Sequence, residues 1–486
     1  MSQRAILKIS EATTRLQQVR FSAPISWELK TGEQWAVIGR NGSGKTLFTD
    51  TMTGKYALSA GEILCFDENG EKASVYATVK SVAFRDIYSI IDAGNSYYQQ
   101  RWNKGVAEEV PSVRHLLSEE DIKSIESGFG GFDISDLMDK EVNLLSSGEL
   151  RKFLIIRSLL ARPRVLILDN PYIGLDAPSR LVLNHFFEHL AQSGISLILV
   201  LSNPGDIPDV ITHVLPIQGK KLLPALSKDD FLSNKSLIDK LFPDKAKSKE
   251  IGLPIKEGKE DSKPTYTDVA LLKNIKVKYG ESIIIDGLDW QIARGDKWAL
   301  LGANGSGKST LLSLIYGDNP QGYANDITLF DRKRGSGESI WDIKNRIGYI
   351  SPEMHLYYMK NIRCIDIVGS GFFDTIGLYR KCSTEQEAIA LLWMDLLGIG
   401  HLKDSSFLHI SSGEQRLVLL ARVFVKDPEL LILDEPLHGL DMANKRLVKR
   451  IVETFCTCDK TLIYVTHYES EIPGIVDKRM VLTKKK

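Results

Sequence analysis

The sequence predicts an α/β fold written twice in one chain, each copy built on a mainly parallel sheet, and three repeated blocks carry that prediction. Gly39-Arg-Asn-Gly-Ser-Gly-Lys-Thr46 returns as Gly302-Ala-Asn-Gly-Ser-Gly-Lys-Ser309, 263 positions further on (302 − 39). Leu145-Ser-Ser-Gly-Glu149 and Leu166-Ile-Leu-Asp169 return as Ile410-Ser-Ser-Gly-Glu414 and Leu431-Ile-Leu-Asp434, both 265 further on (410 − 145; 431 − 166). Blocks in one order and one register mean a duplicated domain. The interval is far too long for a solenoid repeat, so each copy is expected to be a complete fold.

Length and composition agree. A chain of 486 residues exceeds what one hydrophobic core holds. With 43% hydrophobic and 26% charged residues it is neither wholly disordered, collagen-like nor a disulfide scaffold. Sixty-two Lys and Arg match sixty-two Asp and Glu, which leaves no global positive field for non-specific attraction to nucleic acid or an anionic membrane. The longest apolar run, Ala388 to Met394, is far short of the roughly 20 residues a membrane-spanning helix needs. No apolar leader follows the basic residues between Met1 and Ser10, and the five cysteines form no C-x-x-C pair, so a reducing cytoplasm is expected. Cys456 and Cys458 alone are too few for a metal site.

The first domain is placed at 1–243, a charged flexible linker rich in Lys, Glu, Gly and Pro at 244–264, and the second domain at 265–486. Before the linker, Phe231, Leu237, Leu241 and Phe242 have a roughly helical spacing, which predicts order up to that point.

Each Gly-rich block satisfies G-x-x-x-x-G-K-[ST], follows a short apolar run (Trp35 to Ile38; Trp298 to Leu301) and precedes a helix-like segment. Strand, loop and helix are the context a phosphate-binding P-loop requires. Glycines let backbone N–H groups converge on phosphate oxygens, and the helix N-terminus adds its positive dipole end. Lys45 or Lys308 would bridge the β and γ phosphates, and Thr46 or Ser309 would ligate Mg²⁺. The ATP-binding set is therefore Gly39, Asn41, Gly42, Ser43, Gly44, Lys45 and Thr46 in copy one. In copy two it is Gly302, Asn304, Gly305, Ser306, Gly307, Lys308, Ser309 and Thr310.

Val165 to Asp169 and Leu430 to Asp434 are continuous apolar runs ending in a carboxylate, as expected of strands buried on both faces of a parallel sheet. At 124 and 126 residues after the P-loop lysine (169 − 45; 434 − 308), Asp169 and Asp434 read as the Walker B groups on the Mg²⁺ side. The next residue separates the copies. Glu435 can orient and polarise a water, whereas Asn170 cannot accept a proton at neutral pH. Thirty-three residues after the Walker Asp, copy two has His467, just past a predicted strand from Thr461 to Val465, and copy one has Ser202. Glu435 and His467 are the expected catalytic pair.

A P-loop, [LI]-S-S-G-E, a Walker B strand, Gly-Leu-Asp (Gly174 to Asp176; Gly439 to Asp441) and a switch histidine, in that order, resemble the ATP-binding cassette (ABC) ATPases over nearly the whole chain. Gly317 to Phe330 and Arg334 to Ile343 resemble more narrowly the ModF-like tandem ATPases, named for molybdate transport and in older usage for photorepair. The resemblance implies two P-loop NTPase domains of ABC type, each with a mainly parallel sheet, an antiparallel β subdomain and a helical subdomain. It implies ATP and Mg²⁺ as ligands, with Thr46, Asp169, Ser309 and Asp434 on the metal. It makes Ser146, Ser147, Gly148 and Glu149, with Ser411, Ser412, Gly413 and Glu414, the signature turns, although Ser-Ser-Gly is also an ordinary helix cap. Each P-loop would take its lid from the other copy's signature.

Tyr279 matches the aromatic that stacks on adenine, while copy one has only Leu16 near that place. The family's Q-loop glutamine is missing, with Glu353 or Asp86 nearby. Arg332, Lys333 and Arg334 read as a solvated loop. The expected function is the energising ATPase of a transport complex whose membrane permease subunits are separate chains, cytoplasmic or peripheral at the inner face of the membrane. The alternative is a soluble ATPase acting on a ribosome or DNA partner.

Overall fold

The computed structural model describes residues 4–83, 111–126, 135–141, 145, 147–173, 175, 177–243, 252–254, 266–280, 282–303, 305–352, 354, 358, 361–375 and 380–483. The chain divides into two units, the first ending at Asp244 and the second containing Lys245–Lys486.

In the first unit Val79–Ala83, Val165–Asp169, Ser196–Leu201, Trp35–Ile38 and His213–Gln218 lie side by side in that order, all parallel. In the second, Ile347–Ile350, Leu430–Asp434, Thr461–Val465, Lys297–Gly302 and Lys478–Leu482 repeat the arrangement. Val165 to Leu168 and Leu430 to Leu433 are buried throughout, which explains why both runs are apolar without alternation. Each unit adds an antiparallel sheet. It is Ile25–Lys30, Ala5–Thr14, Leu58–Phe66 and Lys72–Ala73 in the first and Ser282–Ala293, Asp268–Tyr279, Asp326–Leu329 and Arg332–Lys333 in the second.

The helical part of the second unit comprises Cys364–Ser370, Thr384–Leu396 and Ser412–Phe424. Ser383 and Gln386 form a capping box that starts the middle helix. In the first unit Glu119–Glu126 and Ser147–Leu159 are the described α-helices between Val79–Ala83 and Val165–Asp169. Before the linker, Lys228–Ser233 and Lys235–Leu241 are two short helices, broken at Asn234, whose side chain caps the second. Phe231, Leu241 and Phe242 are buried in the first unit's core. The linker at 244–264 lies almost wholly outside the described residues.

The basic stretch does not behave as one solvated loop. Arg332 and Lys333 are exposed, but the Arg334 side chain is only 1% exposed. Its guanidinium lies 4.7 Å from the centre of the Tyr323 ring and 3.8 Å from the Glu338 carboxylate. Glu338 accepts the N–H groups of Gly335 and Ser336, a turn that folds the chain back over Arg334.

Trp393 is buried with its ring stacked on Phe424, centroids 5.0 Å apart, and edge-on to Phe455. Truncation to alanine leaves a cavity against both rings. Trp393→Ala is expected to destabilise the second unit by about 3–5 kcal/mol, read as a lower urea midpoint in equilibrium unfolding. An unchanged midpoint would contradict this packing.

Candidate functional site

In a parallel sheet every strand presents its carboxyl end at one edge, the usual place for a ligand in an open α/β fold. In both units the strand that feeds the P-loop and the strand that ends in the Walker Asp are separated by a single strand. Ser202 directly follows that middle strand in copy one, and His467 stands two residues past it in copy two. The sheet order thus brings P-loop, Asp and switch position to one edge.

The P-loops are shaped by close approach. A Cβ on Gly302 would lie 2.5 Å from the Leu482 carbonyl oxygen and 2.6 Å from Ser306 Oγ, and Gly39 meets Ile217 and Ser43 in the same way. Gly44 and Gly307 cap the following helices, Lys45–Met52 and Lys308–Tyr316, in left-handed conformations that favour glycine. Lys45 Nζ donates to the carbonyls of Gly39 and Arg40 at 2.8 and 2.9 Å, and Lys308 Nζ to those of Gly302 and Ala303 at 2.7 and 3.0 Å. Both ammonium groups are thereby held across the mouth of the loop. Ser43 Oγ and Ser306 Oγ are buried without a hydrogen-bond partner. Buried hydroxyls of this kind, in a glycine cradle at a helix N-terminus, suit phosphate oxygens. Asn41 is half-buried, Thr310 is buried, and Asn304 lies outside the described residues.

Thr46 Oγ1 donates to Asp169 Oδ2 at 3.0 Å, so the two groups expected on the metal in copy one are already together. The second Asp169 oxygen accepts from Asn170 Nδ2 at 2.8 Å. In copy two Ser309 is exposed in the first turn of its helix, and Asp434 is buried at the end of its strand. Hydroxyl and carboxylate oxygens are the hard donors that Mg²⁺ takes.

Glu435 is held by two imidazoles. His467 Nε2 lies 2.8 Å from Oε1 and His438 Nδ1 lies 3.0 Å from Oε2. Burial opposes ionisation, but the two adjacent imidazoles, His438 first and His467 second, hold the Glu435 carboxyl well below the usual carboxylate range. His438 was not singled out from the sequence. Its only signal is a histidine three residues past Glu435, at a spacing that becomes meaningful once a turn is known. The corresponding positions in copy one are Asn170, Ile173 and Ser202, so neither carboxylate nor imidazole recurs there. Glu435 and Asn170 share a left-handed backbone, with φ of 48° and 52°. Asparagine tolerates that region better than glutamate does.

Ser411 caps the helix Ser412–Phe424 in a capping box with Glu414, their two hydrogen bonds measuring 3.3 and 2.8 Å. Gly413 is buried in the first turn. In copy one, Ser147, Gly148 and Glu149 open the helix Ser147–Leu159, and Glu149 accepts from Lys140 at 2.7 Å. Ser146, Gly174, Asp176, Asp86 and Glu353 lie outside the described residues. Tyr279 ends its strand half-buried, with its hydroxyl accepting from Asn319 Nδ2 at 2.9 Å, while Leu16 is 62% exposed. Asp441 is fully buried and caps the helix Met442–Phe455.

Residues 23–173 and 285–438 match the family described as ABC transporter. The ABC transporter ATP-binding protein ModF of Escherichia coli (strain K12) is 34% identical over 479 residues, 98% of this chain and 96% of that protein. An uncharacterized ABC transporter ATP-binding protein of Schizosaccharomyces pombe is 28% identical over 481 residues, 94% of this chain and 93% of that one. Among solved structures, a chain from the complex of an archaeal ribosomal stalk protein with an archaeal ribosome recycling factor aligns with a TM-score of 0.52 at 17% identity. That alignment covers 97% of this chain and 87% of the other. At that identity the likeness is one of fold.

Removing one imidazole makes the ionised form of Glu435 less favourable, so the carboxyl protonates at a higher pH. If ionised Glu435 supports nucleotide turnover, His438→Ala should move the acidic limb of the rate–pH profile upward. An unmoved limb would show that His438 has no hold on the reacting group.

Proposed function

The chain belongs to the ABC transporter family and carries the ATP-binding cassette of that family twice, and from this premise we propose that it is the energising ATPase of a transport complex in which only copy two hydrolyses ATP rapidly. The observation that carries this reading is the Glu435 carboxylate clamped between His438 and His467, with Asn170, Ile173 and Ser202 at the corresponding places in copy one.

In this reading Lys308 and the loop N–H groups bind the β and γ phosphates, and Glu435 orients the attacking water and receives its proton as the bond to phosphorus forms. His467 donates to the γ-phosphate. Bound Mg²⁺, held through Ser309 and Asp434, would neutralise charge on the phosphates. Copy one, with Lys45, Thr46 and Asp169 but no general base, would retain nucleotide with slow turnover. Tyr279 would stack on adenine in copy two, and exposed Leu16 offers no ring for that role in copy one. The protein would act in the cytoplasm at the inner face of a membrane, with cargo, molybdate by resemblance, recognised by partner permease chains. Support for a transport partner comes from the ABC transporter name of the Escherichia coli relative. A soluble ATPase acting on a ribosome or DNA is the second reading, favoured by the fusion of both cassettes in one chain.

Glu435→Gln is expected to lower steady-state ATP turnover by about 100-fold or more, the range for loss of a positioned general base. Asn170→Ala should have a much smaller effect, and equal losses would contradict the asymmetry. Pull-down from cell extract with the Glu435→Gln form separates the partners. Co-purifying permease supports transport, whereas ribosomal subunits or DNA would overturn it.

A further inference from the structure

The left-handed backbone at Glu435 goes with a local set of hydrogen bonds. Consecutive carbonyls of an extended strand face opposite sides, whereas a residue of helical-type φ, of either hand, turns the carbonyls before and after it to one side. At φ 48°, Glu435 directs the carbonyls of Asp434 and Glu435 together. Both accept from Arg416 Nη2, at 2.8 and 2.7 Å. Nε of the same guanidinium reaches the Pro436 carbonyl at 3.3 Å, and Nη1 reaches Ser351 at 2.6 Å. Arg416 is 6% exposed and stands on the helix Ser412–Phe424, one turn past the Ser411 cap.

The same backbone turn delivers the imidazole. The Glu435 carbonyl also accepts the His438 N–H at 3.1 Å, closing the turn that sets His438 Nδ1 on the carboxylate. On the other side the Glu435 N–H continues the sheet ladder to Val465 at 2.9 Å, two residues before His467. Only a planar fork of several donors can gather carbonyls from residues 351, 434, 435 and 436. Burial pushes the Arg416 guanidinium down to about 10, still charged at neutral pH.

We propose that Arg416 is a positioning residue for ATP hydrolysis, holding the Asp434–Pro436 backbone in the turn that aims the Glu435 carboxylate at His438 and His467, and tying that turn to the helix that Ser411 caps. The proposal rests on Glu435 being the group that orients the water. Copy one keeps a version of the device, since Arg151 Nη1 donates to the Pro171 carbonyl at 2.5 Å and Asn170 has φ 52°, but no carboxylate is there to be aimed. Arg151 is therefore the internal control for the cost of disturbing such an arginine.

The test uses the full chain as wild type, Glu435→Gln, Arg416→Lys and the double variant, with kcat and KM for Mg-ATP and affinity for a fluorescent ATP analogue. Lysine keeps the charge and loses the fork. Arg416→Lys is expected to lower kcat by about 100-fold, the scale of a misplaced reacting group, with KM and analogue affinity within about twofold. The double variant should be no slower than Glu435→Gln alone. Arg151→Lys should lower the melting temperature comparably and change kcat by less than about threefold. Arg416→Gln, which removes the buried charge but keeps two donors, gives the same kinetic comparison if the lysine form does not fold. Loss of turnover in Glu435→Gln with none in Arg416→Lys overturns this inference alone, as does a double variant whose losses multiply. Near-normal turnover in Glu435→Gln overturns the Glu435 assignment and this inference with it.

Discussion

Each unit depends on the parallel register of five strands, because that register gathers groups distant in sequence at one edge. Asp434 pairs across the sheet with Val465, and Leu300, near the end of the P-loop strand, pairs with Val465 on its other side. The glycine-rich loop, the Asp434 carboxylate and the segment leading to His467 are therefore brought together by backbone hydrogen bonds before any side-chain contact is considered. The first unit has the equivalent register, with Asp169 opposite Val200 and Ile38 opposite Leu201. A framework buried on both faces is costly to distort, so the site inherits rigidity from the core.

At the loop lysine, the loop serine and the residue after the strand-ending Asp, the copies differ in side chains rather than in backbone. Both lysines fold over their own loop carbonyls, both loop serines have buried hydroxyls without a partner, and both residues after the Walker Asp are left-handed. In copy one the side chain at that point is an amide bound to Asp169, whereas in copy two it is a carboxylate flanked by two imidazoles. The resulting field at Glu435 favours its ionised form strongly enough to overcome burial.

The sequence resolved motifs whose chemistry depends on near neighbours. The glycine-rich loops are contiguous in sequence, and the strands Val165–Asp169 and Leu430–Asp434 were legible because burial on both faces requires unbroken apolar runs. Features requiring a turn or a distant element were not legible. His438 matters because a left-handed residue folds the chain back upon itself, and no periodicity announces that. Arg334, read as part of a solvated loop, is buried because Glu338 gathers two backbone N–H groups and closes the turn above it. The Ser411 hydroxyl and the Glu414 carboxylate, expected as parts of a signature turn, are engaged in a helix cap here, which the ambiguity of Ser-Ser-Gly had left open.

By itself the sequence determined the duplication, the two glycine-rich loops, the carboxylates that end both apolar runs and the chemical inequality of Glu435 and Asn170, since each is a statement about residue type at fixed spacing. Tertiary structure alone decided that Glu435 has two imidazole partners and that one arginine fork holds its backbone. Those contacts join residues 351, 416, 434 to 438 and 467, and only strand pairing and helix packing bring positions so far apart in the chain within hydrogen-bond distance.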